Sequence, residues 1–223
     1  MAAYPSPATY RPAIVGSRYM VATGHALASL AATRLLEAGG NAIDAGVAAG
    51  LCINVLQPDM TNLGGVAPIM LYSAREGAVR AISGLGTWPR AVEPDYFTRE
   101  CGGAMPTGVR RCVMPAAVDA WLTALGRFGT KTLAEVAAPA IALAEDGFAT
   151  YNFLRENIAE EADGIARWPS SAAVFLPGGR PPAVGERFVQ ADLGRTLRML
   201  VEAEAGASAQ GREAAIRAAR DRF

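Results

Sequence analysis

The chain has 223 residues, 51% hydrophobic and 19% charged, with 21 basic and 21 acidic side chains and a formal net charge of zero. That is enough for one sizeable domain or two small ones. The balance excludes a disordered chain and offers no basic patch for nucleic acid or an anionic membrane. Cys52, Cys101 and Cys112 are odd in number and far apart, which argues against a disulfide framework and for a reducing, cytoplasmic setting.

Residues 1–18 read as a Pro-rich lead, and 19–223 as a single domain. The lead has no apolar run of the secretory kind. The longest apolar stretch, Ala42 to Leu56, contains Asp44 and Asn54 and is too short to span a membrane. Tyr19 to Thr23 has β character and is expected as a buried strand. Leu27, Leu30, Ala31, Leu35 and Ala38 give the 3–4 spacing of a helix over 26–38, which Gly39-Gly40 ends. Asn41 is an expected N-cap for a second helix reaching Leu56, with Asp44 in its first turn. Gln57-Pro58-Asp59 stops that helix.

Asn62-Leu63-Gly64-Gly65 follows as a turn expected to rely on its glycines. Ile69 to Ser73 and Ala78 to Ser83 read as a hairpin closed at Glu76-Gly77. Residues 84–108 read as loop. Helices are expected over 115–128, over 133–145 with a bend at Pro139, and over 152–166. After a Pro/Gly loop at 177–184, helices are expected over 191–205 and 211–223. The order predicts a layered α/β or α+β domain.

Few residues carry chemistry on their own. His25, the sole histidine, stands at a helix start, where a structural role is the commoner one. One histidine and three scattered cysteines do not make a metal site. Cys52 lies in an apolar helix and reads as core, as does the stripe Trp121, Leu122, Leu125. Gly129-Thr130-Lys131-Thr132 lacks the adjacent Gly-Lys pair of a phosphate loop. Two glycine-rich bends beside strands remain, Asn62-Leu63-Gly64-Gly65 and Gly84-Leu85-Gly86-Thr87-Trp88-Pro89. Spacing alone assigns neither an activity.

The order of these features resembles the γ-glutamyltransferase family. Met20-Val21-Ala22 and Leu35-Leu36-Glu37-Ala38-Gly39-Gly40-Asn41-Ala42-Ile43-Asp44-Ala45 look like its opening. Gln57-Pro58, Asn62-Leu63-Gly64-Gly65, Arg127-Phe128-Gly129-Thr130, Leu143-Ala144-Glu145-Asp146-Gly147-Phe148 and Gln190-Ala191-Asp192-Leu193 continue the likeness over residues 19 to 223. The resemblance implies a four-layer αββα sandwich, part of an N-terminal-nucleophile hydrolase whose precursor cuts itself into large and small subunits. The new N-terminal threonine of the small subunit would be nucleophile and, through its α-amino group, general base. No cofactor or metal is implied, and the partners would be the small (β) subunit and a small-molecule amide.

No Thr-Thr-His-Phe-like segment occurs here, and the family continues beyond the point matching Phe223. The expectation is therefore a large-subunit portion, incomplete at its C-terminus and inactive without the small subunit. Aligned on Pro89, the family's carboxylate-gripping arginine falls at Leu85, with Arg80 and Arg90 as nearby substitutes. Leucine cannot make that forked contact. Leu85, Gly86, Thr87 and Trp88 are thus expected to wall a smaller or more apolar acyl pocket, similar to cephalosporin acylases and oxamate amidohydrolases. The alternatives are a true γ-glutamyltransferase subunit or a non-catalytic scaffold fragment.

Overall fold

The computed structural model describes residues 14–106 and 108–223. The three prolines of the lead lie outside them, as does Thr107. In chain order the elements are α1 (Ala26–Glu37), α2 (Ala42–Leu56), β1 (Ile69–Ser73), β2 (Ala78–Ile82), α3 (Tyr96–Cys101), α4 (Ala117–Phe128), α5 (Leu133–Glu145), β3 (Phe148–Ala149), α6 (Asn152–Glu160), α7 (Ala162–Ala166), α8 (Pro169–Phe175), β4 (Arg187–Phe188), α9 (Ala191–Gly206) and α10 (Arg212–Arg222). Among the described residues there are two antiparallel two-stranded ladders, β1–β2 and β3–β4. This is a helix-rich mixed α/β chain.

The first two helices join as local rules require. Gly39 takes φ +81°, and the amides of Gly39 and Gly40 donate to the Leu36 and Leu35 carbonyls, so glycine closes α1. Asn41 Oδ1 then accepts from the amides of Ile43 and Asp44, while Asp44 Oδ2 accepts from the Asn41 amide at 2.8 Å. This reciprocal cap satisfies donors that the first turn leaves over.

The buried stripe of α1 is Ala28, Ala31, Ala32 and Leu35. Leu27 and Leu30, expected on the apolar face, are exposed instead. α2 presents Ala45, Ala48 and Ala49 as buried residues, so small residues on both helices allow a close approach. The two leucines are left beside Pro139 and Leu143.

α2 packs on α1, α4 and α5; α5 then packs on α9, and α10 on both α9 and α4. One main core follows this path, with Val47, Val55, Leu56, Leu122, Leu125, Val136, Leu197 and Leu200 essentially inaccessible. Thr132 and Glu135 cap α5 reciprocally. Both carboxylate oxygens of buried Glu204, on α9, accept from the Leu133 amide at 2.9 Å, tying the two helices together. α5 runs through Pro139 without a break.

Several expectations are corrected. Tyr19–Thr23 forms no strand: β character needs a neighbouring strand to pair with, and among the described residues none lies beside it. The stretch over 152–166 is two helices parted at Glu161, the second carrying Asp163 and Gly164, both poor helix formers. The segment 84–108 contains α3, and Pro169 opens α8 at a position suited to proline. Among the described residues no helix is long and apolar enough to cross a membrane.

Candidate functional site

The structure joins the two glycine-rich bends that the sequence kept apart. The Ala67 amide donates to the Gly84 carbonyl at 2.8 Å. Gly65's carbonyl accepts from the amides of Ala116 and Ala117 at the start of α4, and Met114's amide donates to Thr87's carbonyl at 2.9 Å. Three strips of backbone, 62–67, 84–87 and 113–117, therefore lie side by side.

Glycine is required in the middle strip. Gly84 and Gly86 have φ of +54° and +70°, and a Cβ on either would stand 2.1 Å from the Ala67 oxygen or 2.2 Å from the Met114 oxygen. The first bend differs from its expectation, since neither Gly64 nor Gly65 has positive φ. An added Cβ would stand 3.2 Å from the Asn62 Oδ1 at Gly64 and 3.2 Å from the Asn62 main-chain oxygen at Gly65, a tight contact that a shift of a few tenths of an ångström relieves.

Leu85 and Trp88 project from this locked backbone, 54% and 39% exposed. Trp88 rests against Phe97 of α3, with ring centroids 5.2 Å apart. Residues 84–108 show no helical period, so the sequence does not place Phe97, although the aromatic pair Tyr96-Phe97 is a visible signal. Arg80 is already engaged: its Nε donates to Glu76 Oε2 at 2.7 Å beside the hairpin turn. That makes it a poor replacement for an arginine at position 85. Arg90 is exposed just past Pro89.

The other candidates have internal roles. Cys52 is buried on α2, and burial pushes its thiol up to about 12, which suits core rather than a nucleophile. Gly129–Thr132 cannot receive phosphate because its donors are taken. The amides of Thr130 and Lys131 donate to Asp44 Oδ1 at 2.8 and 3.0 Å, and the Thr130 hydroxyl donates to Asp44 Oδ2 at 2.6 Å. Among the described residues no three His, Cys, Asp or Glu side chains gather as metal ligands would.

His25 caps α1, its Nδ1 accepting from the Leu27 amide at 3.2 Å. This bond requires the neutral ring with its proton on Nε2, and burial lowers the pKa below its ordinary value. The unfolded chain then takes up the proton first, so this contribution is present above about pH 6.5 and is lost as pH falls below it. His25→Asn keeps a capping side chain that does not titrate. Thermal melts from pH 7 to 5 are expected to decline more steeply for the wild type than for this variant. Parallel declines would count against the cap.

A helix-rich α/β chain with this arrangement recurs in solved structures. The gamma-glutamyltranspeptidase of Helicobacter pylori superposes with a TM-score of 0.80 and 30% identity, over 91% of this chain and 59% of that one. A cephalosporin acylase from Bacillus halodurans gives 0.79 and 29%, over 92% and 39%. The pattern of the gamma-glutamyltranspeptidase family matches residues 28–215, and the chain belongs to that family.

Among curated relatives, the acylase ACY 1 proenzyme of Pseudomonas sp. (strain SE83) is 39% identical in an alignment that covers 83% of this chain and 35% of the relative. The glutathione hydrolase proenzyme of Bacillus subtilis (strain 168) is 34% identical over 86% of this chain and 33% of its own length. The chain thus spans about a third of the curated relatives it matches.

Proposed function

We propose that this chain is the N-terminal portion of the large subunit of an amide hydrolase or acyltransferase, working through an acyl-enzyme on the N-terminal threonine of a small subunit. The observation that carries this reading is the hairpin. Ile69, Leu71 and Ile82 share one of its faces, and Met70, Tyr72, Val79 and Ala81 share the other. Leu71 is buried, whereas Met70, Tyr72 and Val79 are 80%, 65% and 62% exposed. The first face also carries Arg80 and Ser73 towards the turn, while the second is wholly apolar apart from the Tyr72 hydroxyl and largely uncovered; an exposed apolar sheet face belongs inside a layered structure, and a lone hairpin is at best marginally stable.

From Tyr72 to Ala116 no described residue is buried. On our reading the hairpin lies in the central sheets of a four-layer αββα sandwich, α1 and α2 belong to an outer layer, and residues 19–223 form one domain. The small subunit covers Met70 and Tyr72. Relatives named as proenzymes, of which this chain matches about a third, support this reading.

The chemistry then follows. The threonine hydroxyl attacks the amide carbonyl while its α-amino group, titrating near 7.7–8.0 when unperturbed, takes the hydroxyl proton. That proton passes to the departing amine as the C–N bond breaks, leaving an acyl ester. Water, or an acceptor amine, attacks the ester and restores the hydroxyl, so no cofactor enters. Leu85, Gly86, Thr87 and Trp88 wall the acyl pocket. Without a guanidinium at position 85 the pocket suits a smaller or more apolar acyl group than γ-glutamyl. The unpaired cysteines fit a cytoplasmic enzyme.

The test is to combine the chain with its separately made small subunit and assay phenylacetyl- and acetyl-p-nitroanilide beside γ-glutamyl-p-nitroanilide. Hydrolysis of the former is expected. Turnover of the γ-glutamyl compound alone would overturn the role of Leu85. Amide turnover by the 223 residues in isolation would overturn the assignment of the nucleophile to a second subunit.

A further inference from the structure

We infer that Phe97 is a specificity-determining positioning residue that selects flat, apolar acyl groups by fixing the ring of Trp88; this rests on the amide-hydrolase reading above. The backbone beneath Trp88 is already fixed by Gly84, Gly86 and the Met114–Thr87 bond. What remains to be set is the indole itself. Phe97 meets it at 58° with centroids 5.2 Å apart, and Tyr96 meets Phe97 edge-on, also at 5.2 Å. These separations are those of favourable aromatic pairs.

α3, which carries Phe97, has no buried residue and no side-chain bond at its N-cap. Its polar tie is Arg99, which donates to Glu93, Asp95 and Glu100, all exposed and therefore weak. The Trp88–Phe97 contact thus fastens α3 to the wall, and the wall to α3. Trp88 keeps 39% of its surface open, beside Leu85 at 54%. A ring held on one side presents its other surface as a stiff apolar plane, and little rotamer freedom remains to be lost when a flat acyl group settles on it.

The experiment uses the enzyme assembled with its small subunit and two anilides, phenylacetyl-p-nitroanilide and acetyl-p-nitroanilide. Phe97→Ala is expected to raise KM for the phenylacetyl compound about three- to tenfold, with kcat little changed and the acetyl compound unaffected. Phe97→Tyr should restore the wild-type value. A merely structural role would depress both substrates or lower kcat, and that result would overturn the proposal, as would no change at all.

Trp88 emission, taken as the difference from Trp88→Phe, supplies a readout independent of turnover. Quenching by phenylacetate should be weaker in Phe97→Ala. If the wild-type enzyme cleaves no amide yet shows this quenching, the hydrolase reading falls and the placement of Phe97 stands. Unaltered quenching in Phe97→Ala sinks the placement.

Discussion

Asp44→Ala is expected to lower the unfolding free energy by about 2–4 kcal/mol, since hydrogen bonds to a charged group contribute roughly 1.5–3 kcal/mol each and water replaces part of what is lost. Asp44 is fully buried and accepts four hydrogen bonds: from the amides of Asn41, Thr130 and Lys131 and from the Thr130 hydroxyl. Alanine leaves the four donors without the carboxylate; Thr130 is exposed and Asn41 and Lys131 are half-buried, so water replaces the lost bonds only in part. The loss is shared by two places far apart in sequence, the start of α2 and the α4–α5 turn. Asn41 Nδ2 also donates to the Phe128 carbonyl at 2.7 Å, so the variant should loosen both ends of that clasp.

The same site governs acid stability. Burial alone would raise the Asp44 pKa, but the Thr130 hydroxyl and the amides of Lys131, Asn41 and Thr130 together outweigh it, and the carboxyl is held below its ordinary value. A depressed carboxylate stabilises the fold above its unfolded pKa of about 3.9 and ceases to as pH falls through the lower folded value. Urea titrations of Asp44→Ala and wild type, at pH 7 and down to pH 3, provide the check. A loss under about 1 kcal/mol at pH 7, below the usual cost of even one orphaned donor, would refute the clasp.

Half of this clasp was legible in the sequence. Gly39-Gly40-Asn41 punctuates two periodic segments, and Asn41 with Asp44 three residues later is a local cap signature; both ends form as expected. The contact from Asp44 to Thr130 and Lys131 spans 86 and 87 residues, and no local pattern announces it. The same limit explains the errors elsewhere. Tyr19–Thr23 has the composition of a strand, yet a strand exists only where another pairs with it. β3 and β4 are two residues each, too short for any alternation to show. Leu27 and Leu30 kept the right period on the wrong stripe, because the alanines of α2 admit alanines more closely than leucines. At the candidate site, both glycine bends were visible as bends. Their union through Ala67 and Gly84 was not, nor was the seat of Trp88 on Phe97.

On the proposed reading of 84–88 as the acyl-pocket wall, Gly86→Ala is expected to lower kcat/KM of the assembled enzyme about a hundredfold, the scale of an ångström-sized misplacement at a reacting centre, while shifting global stability far less. The new methyl would lie 2.2 Å from the Met114 carbonyl oxygen, and a backbone atom cannot swing aside as a side-chain tip can. Either strip 113–117 moves or the 84–88 wall does, and both routes stretch the Met114–Thr87 bond. Positive φ adds roughly 1–2 kcal/mol of strain for a residue with a Cβ. Because no described residue between Tyr72 and Ala116 is buried, the core beneath α2 and α5 has little to lose, and the damage stays in the wall. Gly77→Ala separates strain from displacement: its φ is +61°, yet an added Cβ would meet nothing within 4 Å. That variant should share the strain and keep its activity. If Gly77→Ala and Gly86→Ala reduce amide turnover equally, Leu85 and Trp88 are not holding the acyl group, and the pocket lies elsewhere.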